Sequence, residues 1–334
     1  MVLFVLSSGL PLVDSLDDLV LYYRQNSYAA ATKKSYQSHL NSYLHFCEAL
    51  DISPVPVTSA NVCRYAAYLA GIKQLKASSV PKYLNIIRIL HQEYGFPNPL
   101  QENWFLHHVL RGIKSILGQP VRQSQPITPS ILLQIKAALD LSAPLHITFW
   151  AACLSMFYGL LRKSNVLGQE TFDPSKHLCR EDILAYPWGL GLRIKWSKTM
   201  QYHERTLIVP LPLSVDHPLC PSSAILHAFQ TSSAAPLQGP AFTYCVGDQI
   251  VPLTYHKFLK VLKETLTRAN INCSCMAAHS FRRGGASWAL SVGVPGEMIQ
   301  ILGDWRSNAY QQYLNLPLSV KANYAHHLLS SISY

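Results

Sequence analysis

The chain has no Cys-x-x-Cys pair, no long uncharged apolar run, no internal repeat and few acidic residues. Each absence narrows its class. The eight cysteines, at 47, 63, 153, 179, 220, 245, 273 and 275, are scattered, which argues against a zinc ribbon or dense disulfide framework and favours reduced thiols in an intracellular protein. The stretch nearest to a membrane span, 143–161, is interrupted by His146, Ser155 and Tyr158, so a buried core helix is expected there. Met1-Val-Leu-Phe-Val-Leu is apolar but has no basic flank, and Pro11 and Asp14 end it early, so no secretion signal is expected. Asp and Glu number 18 against 28 Lys and Arg, a net charge of +10 that favours a polyanionic partner, nucleic acid before membrane surface.

What is present is enough hydrophobic sequence, 49%, for two cores in a chain longer than one ordinary domain. Over 32–50, Tyr36, Leu40, Tyr43, Leu44, Cys47 and Leu50 recur at helical steps, and similar patterns start at Ser59, Ser79 and Asn103. These spacings predict a compact helical bundle. Gly118-Gln-Pro-Val-Arg-Gln-Ser-Gln-Pro mixes Pro, Gly and polar residues without periodicity, as a linker does. The expected organisation is a helical domain over 15–118, a linker over 119–127 and a second domain over 128–330. In the second, helices are expected over 128–139, 144–158, 222–229, 255–268, 280–291, 296–302 and 307–314. Strands are expected over 192–196 and 205–209, with 197–204 in the turn between them. The fold class is therefore mainly α with a small β-sheet.

Chemistry-bearing residues concentrate in Ala278-His-Ser-Phe-Arg-Arg-Gly-Gly and in Leu302-Gly-Asp-Trp-Arg-Ser-Asn-Ala-Tyr-Gln-Gln-Tyr313. His279 and Arg282, three residues apart, share one helical face and can reach a single phosphate. The pattern His279-x-x-Arg282, then Leu302-Gly303 and a tyrosine ten residues beyond the glycine, resembles the C-terminal signature of tyrosine recombinases, the phage-integrase, Xer and Cre family. Its wording, with Gly-Asp-Trp-Arg-Ser-x-Ala-Tyr, is most similar to recombinases of eukaryotic DIRS, Ngaro and Crypton-type mobile elements. Tyr158-Gly-Leu-Leu-Arg162 resembles the family's first-arginine motif and Trp196-Ser-Lys198-Thr its hairpin lysine. The N-terminal bundle matches the family's SAM-like core-binding domain in general architecture.

The resemblance implies a catalytic set of Arg162, Lys198, His279, Arg282, Trp305 and Tyr313, and the residue types fit the chemistry. Attack on a phosphodiester loads charge onto the non-bridging oxygens, which planar guanidiniums bind well, so Arg162 and Arg282 would form the clamp. Tyr313 would be the nucleophile, helped by His279 and the arginines because a free tyrosine hydroxyl titrates near 10. Lys198 would protonate the leaving 5′-oxygen, with Lys195 its rival. Trp305 would donate its indole N–H to a phosphate oxygen or pack behind His279. Tyr310 competes with Tyr313 on the same helix, and family spacing selects Tyr313.

Lys33, Lys34, Lys163, Arg283 and Arg306 are expected to contact DNA backbone, whereas Lys257, Lys260 and Lys263 form a stripe better explained as a solvated face. Cys273, Cys275 and His279 supply three of the four ligands zinc needs; the fourth is missing, and no metal or other cofactor is expected. Two positions depart from the family pattern: Asp304 where His or Trp normally follows the glycine, and Asn165 where many relatives carry an acidic residue.

The resemblance implies a site-specific recombinase or integrase acting through a 3′-phosphotyrosyl intermediate, for integration or excision of a mobile element. Four protomers would close around two segments of double-stranded DNA, in the nucleus if the source is eukaryotic, with no membrane partner. Two other roles are compatible with the motifs: a domesticated, inactive DNA-binding protein, and DNA relaxation like that of a type IB topoisomerase.

Overall fold

The computed structural model describes residues 15–118, 124–168, 171–198, 200 and 205–313, with 322, 326 and 330; the side chains of 309, 312 and 313 fall outside that description. The amino-terminal apolar segment, linker positions 119–123 and turn positions 199 and 201–204 therefore lie outside the described residues. The chain divides into two compact units, Met1–Val121 and Arg122–Tyr334.

The first unit carries helices α1 (Leu16–Gln25), α2 (Ala30–Ala49), α3 (Ser59–Gly71), α4 (Val80–Glu93) and α5 (Trp104–Leu117). The periodic apolar residues of α2 to α4 meet in one core, where Tyr43, Val62, Tyr65, Leu69 and Ile87 are fully buried. Helix starts follow side-chain capping: the Thr58 and Asn103 side chains accept the N–H groups of Asn61 and Leu106, satisfying donors that have no intrahelical partner. Helix α1 was not expected from sequence, although Leu16, Leu19, Val20 and Tyr23 recur there at helical steps; it buries none of its residues.

The second unit contains α6 (Pro129–Ala137), α7 (Pro144–Tyr158), α8 (Lys163–Val166), α9 (Pro221–Thr231), α10 (Tyr255–Arg268), α11 (Ala278–Ser291) and α12 (Gly296–Leu302). Its strands are β1 (Ile183–Tyr186), β2 (Gly189–Ile194), β3 (Leu207–Pro212), β4 (Thr243–Val246) and β5 (Gln249–Pro252). Every residue of α7 from Ile147 to Phe157 is buried, which explains why this segment is apolar on all sides. Among the described residues no helix is long and apolar enough to cross a membrane.

The sheet differs from the two-strand expectation. Strands β1, β2 and β3 form an antiparallel sheet in that order, with Leu192 opposite both Ile183 and Val209. A separate hairpin pairs β4 with β5. Gly189 and Gly191 in β2 and Pro210 and Pro212 in β3 read locally as strand breakers. Proline is tolerated because β3 is an edge strand and both prolines are exposed.

Helix α11 lies against backbone on two sides, and the glycine pair of its motif makes this close approach sterically feasible. A Cβ on Gly284 would stand 1.8 Å from the Ile127 carbonyl oxygen, and one on Gly285 2.0 Å from that of Phe157. The Ile127 N–H donates to the Ser280 carbonyl at 3.0 Å and Gln125 to Cys275 at 2.9 Å. Residues 125 and 127, expected within the linker, are thus built into the second unit, and Ile127 is fully buried.

Candidate active site

After α7 the chain turns through Leu160, whose φ of 47° lies in the left-handed region, and delivers Arg162 half-buried to the start of α8. Arg282, on α11, is only 2% exposed. Its guanidinium donates to the Leu160 carbonyl and, at 2.7 Å, to the Gly303 carbonyl, and lies 3.9 Å over the Trp305 ring. A desolvated cation–π contact of this kind contributes about 2 kcal/mol. Trp305 is 7% exposed and supports Arg282, a use that neither sequence option for it named. A glycine is required at 303, where a Cβ would strike the Trp305 ring at 1.6 Å.

His279 precedes Arg282 by one helical turn. Burial, then the charges of Arg282, Arg283 and Arg162, lower its pKa to about 4. It is therefore neutral at pH 7, and its surroundings bring Arg162, Arg282 and Arg283 within electrostatic reach of one imidazole. Such a concentration of positive charge is suited to an anion.

The hairpin stem brings the next groups. Lys195 binds Asp182 at 2.6 Å and contacts the Cys179 sulfur at 3.5 Å, so this rival of Lys198 is committed to the sheet. Lys198 is exposed in the turn that follows β2. Beside it, the Ser197 hydroxyl donates to Asp304 Oδ2 at 3.2 Å, and Asp304 Oδ1 pairs with Arg205 from just before β3. Asn165 Oδ1 accepts the Arg162 N–H at 3.2 Å while its Nδ2 donates to the Trp196 carbonyl at 3.3 Å. These groups surround a cleft of about 10 Å³ whose walls include Arg162, Asn165, Ser197, Arg282 and Asp304. That is room for about one water, so a larger ligand must lie across the surface.

Tyr310 is 7% exposed, packs its ring 6.1 Å from that of Trp305, and would meet a Cβ on Gly296 at 2.8 Å. It belongs to a small apolar cluster with Leu160, Ala286, Ile299 and Trp305 that underlies the site. The segment expected as a helix over 307–314 is a 3₁₀ helix, Asn308–Tyr313; the Tyr313 hydroxyl lies outside the described side chains.

Of the expected backbone contacts, Lys33 and Lys34 are exposed near the start of α2, Arg306 is exposed, and Lys163 is exposed with its ammonium 3.4 Å from the Tyr255 ring centroid. Arg283 departs from this set: it is 4% exposed, because α11 is sunk between its neighbours. Lys260 and Lys263 are exposed and Lys257 half-buried on α10, and Lys260 pairs with Glu264 at 4.0 Å. Sequence reasoning missed Arg205, and it noted Asn165 and Asp304 only as departures. Partners that are 99 and 107 residues from Asp304 leave no local signal.

No family model matches the chain, and no curated protein does. Solved structures do match in fold. A lambda integrase dimer bound to a COC′ core site aligns at TM-score 0.58 and 17% identity, over 90% of this chain and 94% of that one. XerH site-specific recombinase on a palindromic difH substrate, in a post-cleavage complex, aligns at 0.59 and 12% identity, over 88% and 78%. The Tn1549 transposon integrase with circular intermediate DNA aligns at 0.54 and 12% identity, over 91% and 96%. The chain thus has the fold of the tyrosine recombinases: mainly helical with small antiparallel sheets, as its composition of elements predicts.

Proposed function

We propose that the chain is a site-specific DNA recombinase or integrase that cuts and rejoins DNA through a 3′-phosphotyrosyl intermediate. The observation that carries this is the crowding of Arg162, Arg282 and Arg283 around a neutral His279, on a fold shared with recombinases solved on DNA. The Tyr313 hydroxyl attacks a backbone phosphorus as its proton passes to His279. The guanidiniums of Arg162 and Arg282 bind the charge that develops on the non-bridging oxygens, with Trp305 holding Arg282 from behind. The bond to the 5′-oxygen breaks and Lys198 protonates it. Attack of a 5′-hydroxyl from a partner strand then releases the tyrosine and restores the phosphodiester. Bond energy is kept in the adduct, so no nucleotide is consumed.

Four protomers would act on two DNA segments, and the biological setting would be integration or excision of a mobile element. Lys33, Lys34, Lys163 and Arg306 would contact phosphates and set register without selecting bases. The test is a pool of nicked suicide duplexes with randomised sequence, incubated with the protein in chelator. A denaturation-resistant protein–DNA adduct should form, and peptide mapping should place it on Tyr313. An adduct that survives Tyr313→Phe would overturn the assignment.

A further inference from the structure

Asn165 and Asp304, the two departures from the resembled pattern, hold consecutive residues of the same hairpin stem. Asn165 joins the Arg162 N–H to the Trp196 carbonyl. An ionised carboxylate at 165 would accept the first bond but has no hydrogen to give to the second; the amide serves both. One residue further on, Ser197 donates to Asp304, which also takes Arg205 from the opposite limb.

Asp304 also bears an unusual backbone. Its N–H bonds to the Ile301 carbonyl at 3.1 Å and that of Trp305 to Gln300 at 3.1 Å, the paired bonds that close a helix on a left-handed residue. Glycine is the usual occupant of that position, yet Asp304 sits there at φ 52° and 8% exposure. A non-glycine residue in this conformation persists where its contacts compensate the strain. Here the contacts are a hydroxyl and a guanidinium, one from each limb of the hairpin.

We propose that Asn165 and Asp304 are a pair of positioning residues that fix the stem of the β2–β3 turn and thereby present Lys198 to the scissile phosphate, an inference that rests on Lys198 being the general acid. Asn165 ties the stem to the loop of Arg162. Asp304 ties it to the Gly303 turn, whose carbonyl receives Arg282. The two arginines and the lysine would therefore share one rigid frame, and neither Asn165 nor Asp304 needs to touch the reacting atoms.

Two measurements on the full chain test this. The first needs no DNA: amide exchange at Met200, whose N–H bonds to the Ser197 carbonyl at 3.0 Å. Asp304→Gly, which suits the left-handed backbone, and Asn165→Asp should each speed that exchange about tenfold or more while leaving β1 and β2 unchanged. Unchanged exchange at Met200 overturns the proposal.

The second compares adduct formation on the duplex recovered from the trapping experiment with the same duplex carrying a bridging 5′-sulfur. A thiolate leaves without a proton, so only a defect in proton delivery is rescued. Asp304→Gly, Asn165→Asp and Lys198→Ala should each be slowed about tenfold or more on the oxygen substrate and return to within about threefold of wild type on the sulfur one. If Asp304→Gly and Asn165→Asp stay slow on sulfur while Lys198→Ala recovers, they are not positioning the acid, and the proposal fails. A Lys198→Ala protein that stays slow overturns the general-acid role beneath it, and a wild-type chain that forms no adduct overturns the proposed function itself.

Discussion

Asp182 and Asp304 both hold the β2–β3 hairpin, by contrasting means. Asp182 is fully buried and binds the Arg193 and Lys195 side chains at 2.9 and 2.6 Å and the Cys179 N–H at 2.8 Å. Every one of these partners lies within thirteen residues of it in sequence. Asp304 takes its partners from about a hundred residues away, and its cation, Arg205, has a side chain 52% exposed. The first arrangement locks a sheet to its own neighbourhood. The second links the end of α12 to the lysine-bearing turn. The difference separates a carboxylate that holds the sheet within itself from one that joins the sheet to the Gly303 turn.

The sharpest way to break that contrast is to remove each carboxylate. Asp182→Ala would strand two cations, one of them mostly buried, and should cost about 3–5 kcal/mol in a denaturant titration. Asp304→Ala frees a cation that water can reach, but it also takes an acceptor from the buried Ser197 hydroxyl and leaves alanine at a left-handed φ, so it should cost about 1–2 kcal/mol in the same titration. Equal losses would mean that both aspartates are structural. An effect below that of Asp182→Ala is expected from Gly285→Ala, whose Cβ would press on the Phe157 carbonyl oxygen at 2.0 Å. Overpacking there should cost about 1–3 kcal/mol. Gly71→Ala, with nothing within 4 Å of its Cβ, should instead be neutral or stabilise the first unit.

The same division governs what the sequence reveals. Helices with a buried stripe, such as α2 and α10, are legible from spacing, and the motifs single out Arg162, His279 and Arg282, which the fold brings within electrostatic reach of one another. Helix α1 buries nothing and was not expected, and β2 and β3 are legible only in part, over 192–194 and 207–209, because Gly189, Gly191, Pro210 and Pro212 mask the rest. Within the site, the local half of each interaction is visible and the distant half is not. Asp304 and Asn165 stand out only as unexpected residue types, since Ser197, Arg205 and the Trp196 carbonyl are brought to them by tertiary structure. The stacking of Arg282 on Trp305 is hidden for the same reason.

Acid sharpens the comparison without any substitution. The pKa of His279, about 4, lies below that of a free histidine, so between pH 6.5 and about 4 the unfolded chain binds a proton that the native chain does not. Its contribution to stability is lost as pH falls through that window. For Asp182, burial alone would raise the pKa, but the bonds from Lys195, Cys179 and Arg193 outweigh it and hold the group below the usual carboxylate value. Its contribution is present above about 3.9 and is lost only as pH falls through the native pKa. Denaturant titrations at pH 6.5, 4 and 2.5 should show His279→Gln flattening the upper window and leaving the lower one. A variant that leaves the upper window as steep as wild type would mean that other histidines carry it.

The smallest effect completes the series of ion pairs by exposure. Lys260 and Glu264 stand 4.0 Å apart on α10 with side chains 62% and 52% exposed, against 0% for the Asp182 carboxylate and 7% for that of Asp304. Water screens such a pair, and lysine preceding glutamate is the less favourable order along a helix. Lys260→Ala should therefore shift stability by about 0.3 kcal/mol or less, and raised salt should erase even that. If its cost instead approached that of Asp304→Ala, burial would not be what ranks these carboxylates, and the functional weight placed on Asp304 would have to rest on the exchange and sulfur-rescue measurements alone.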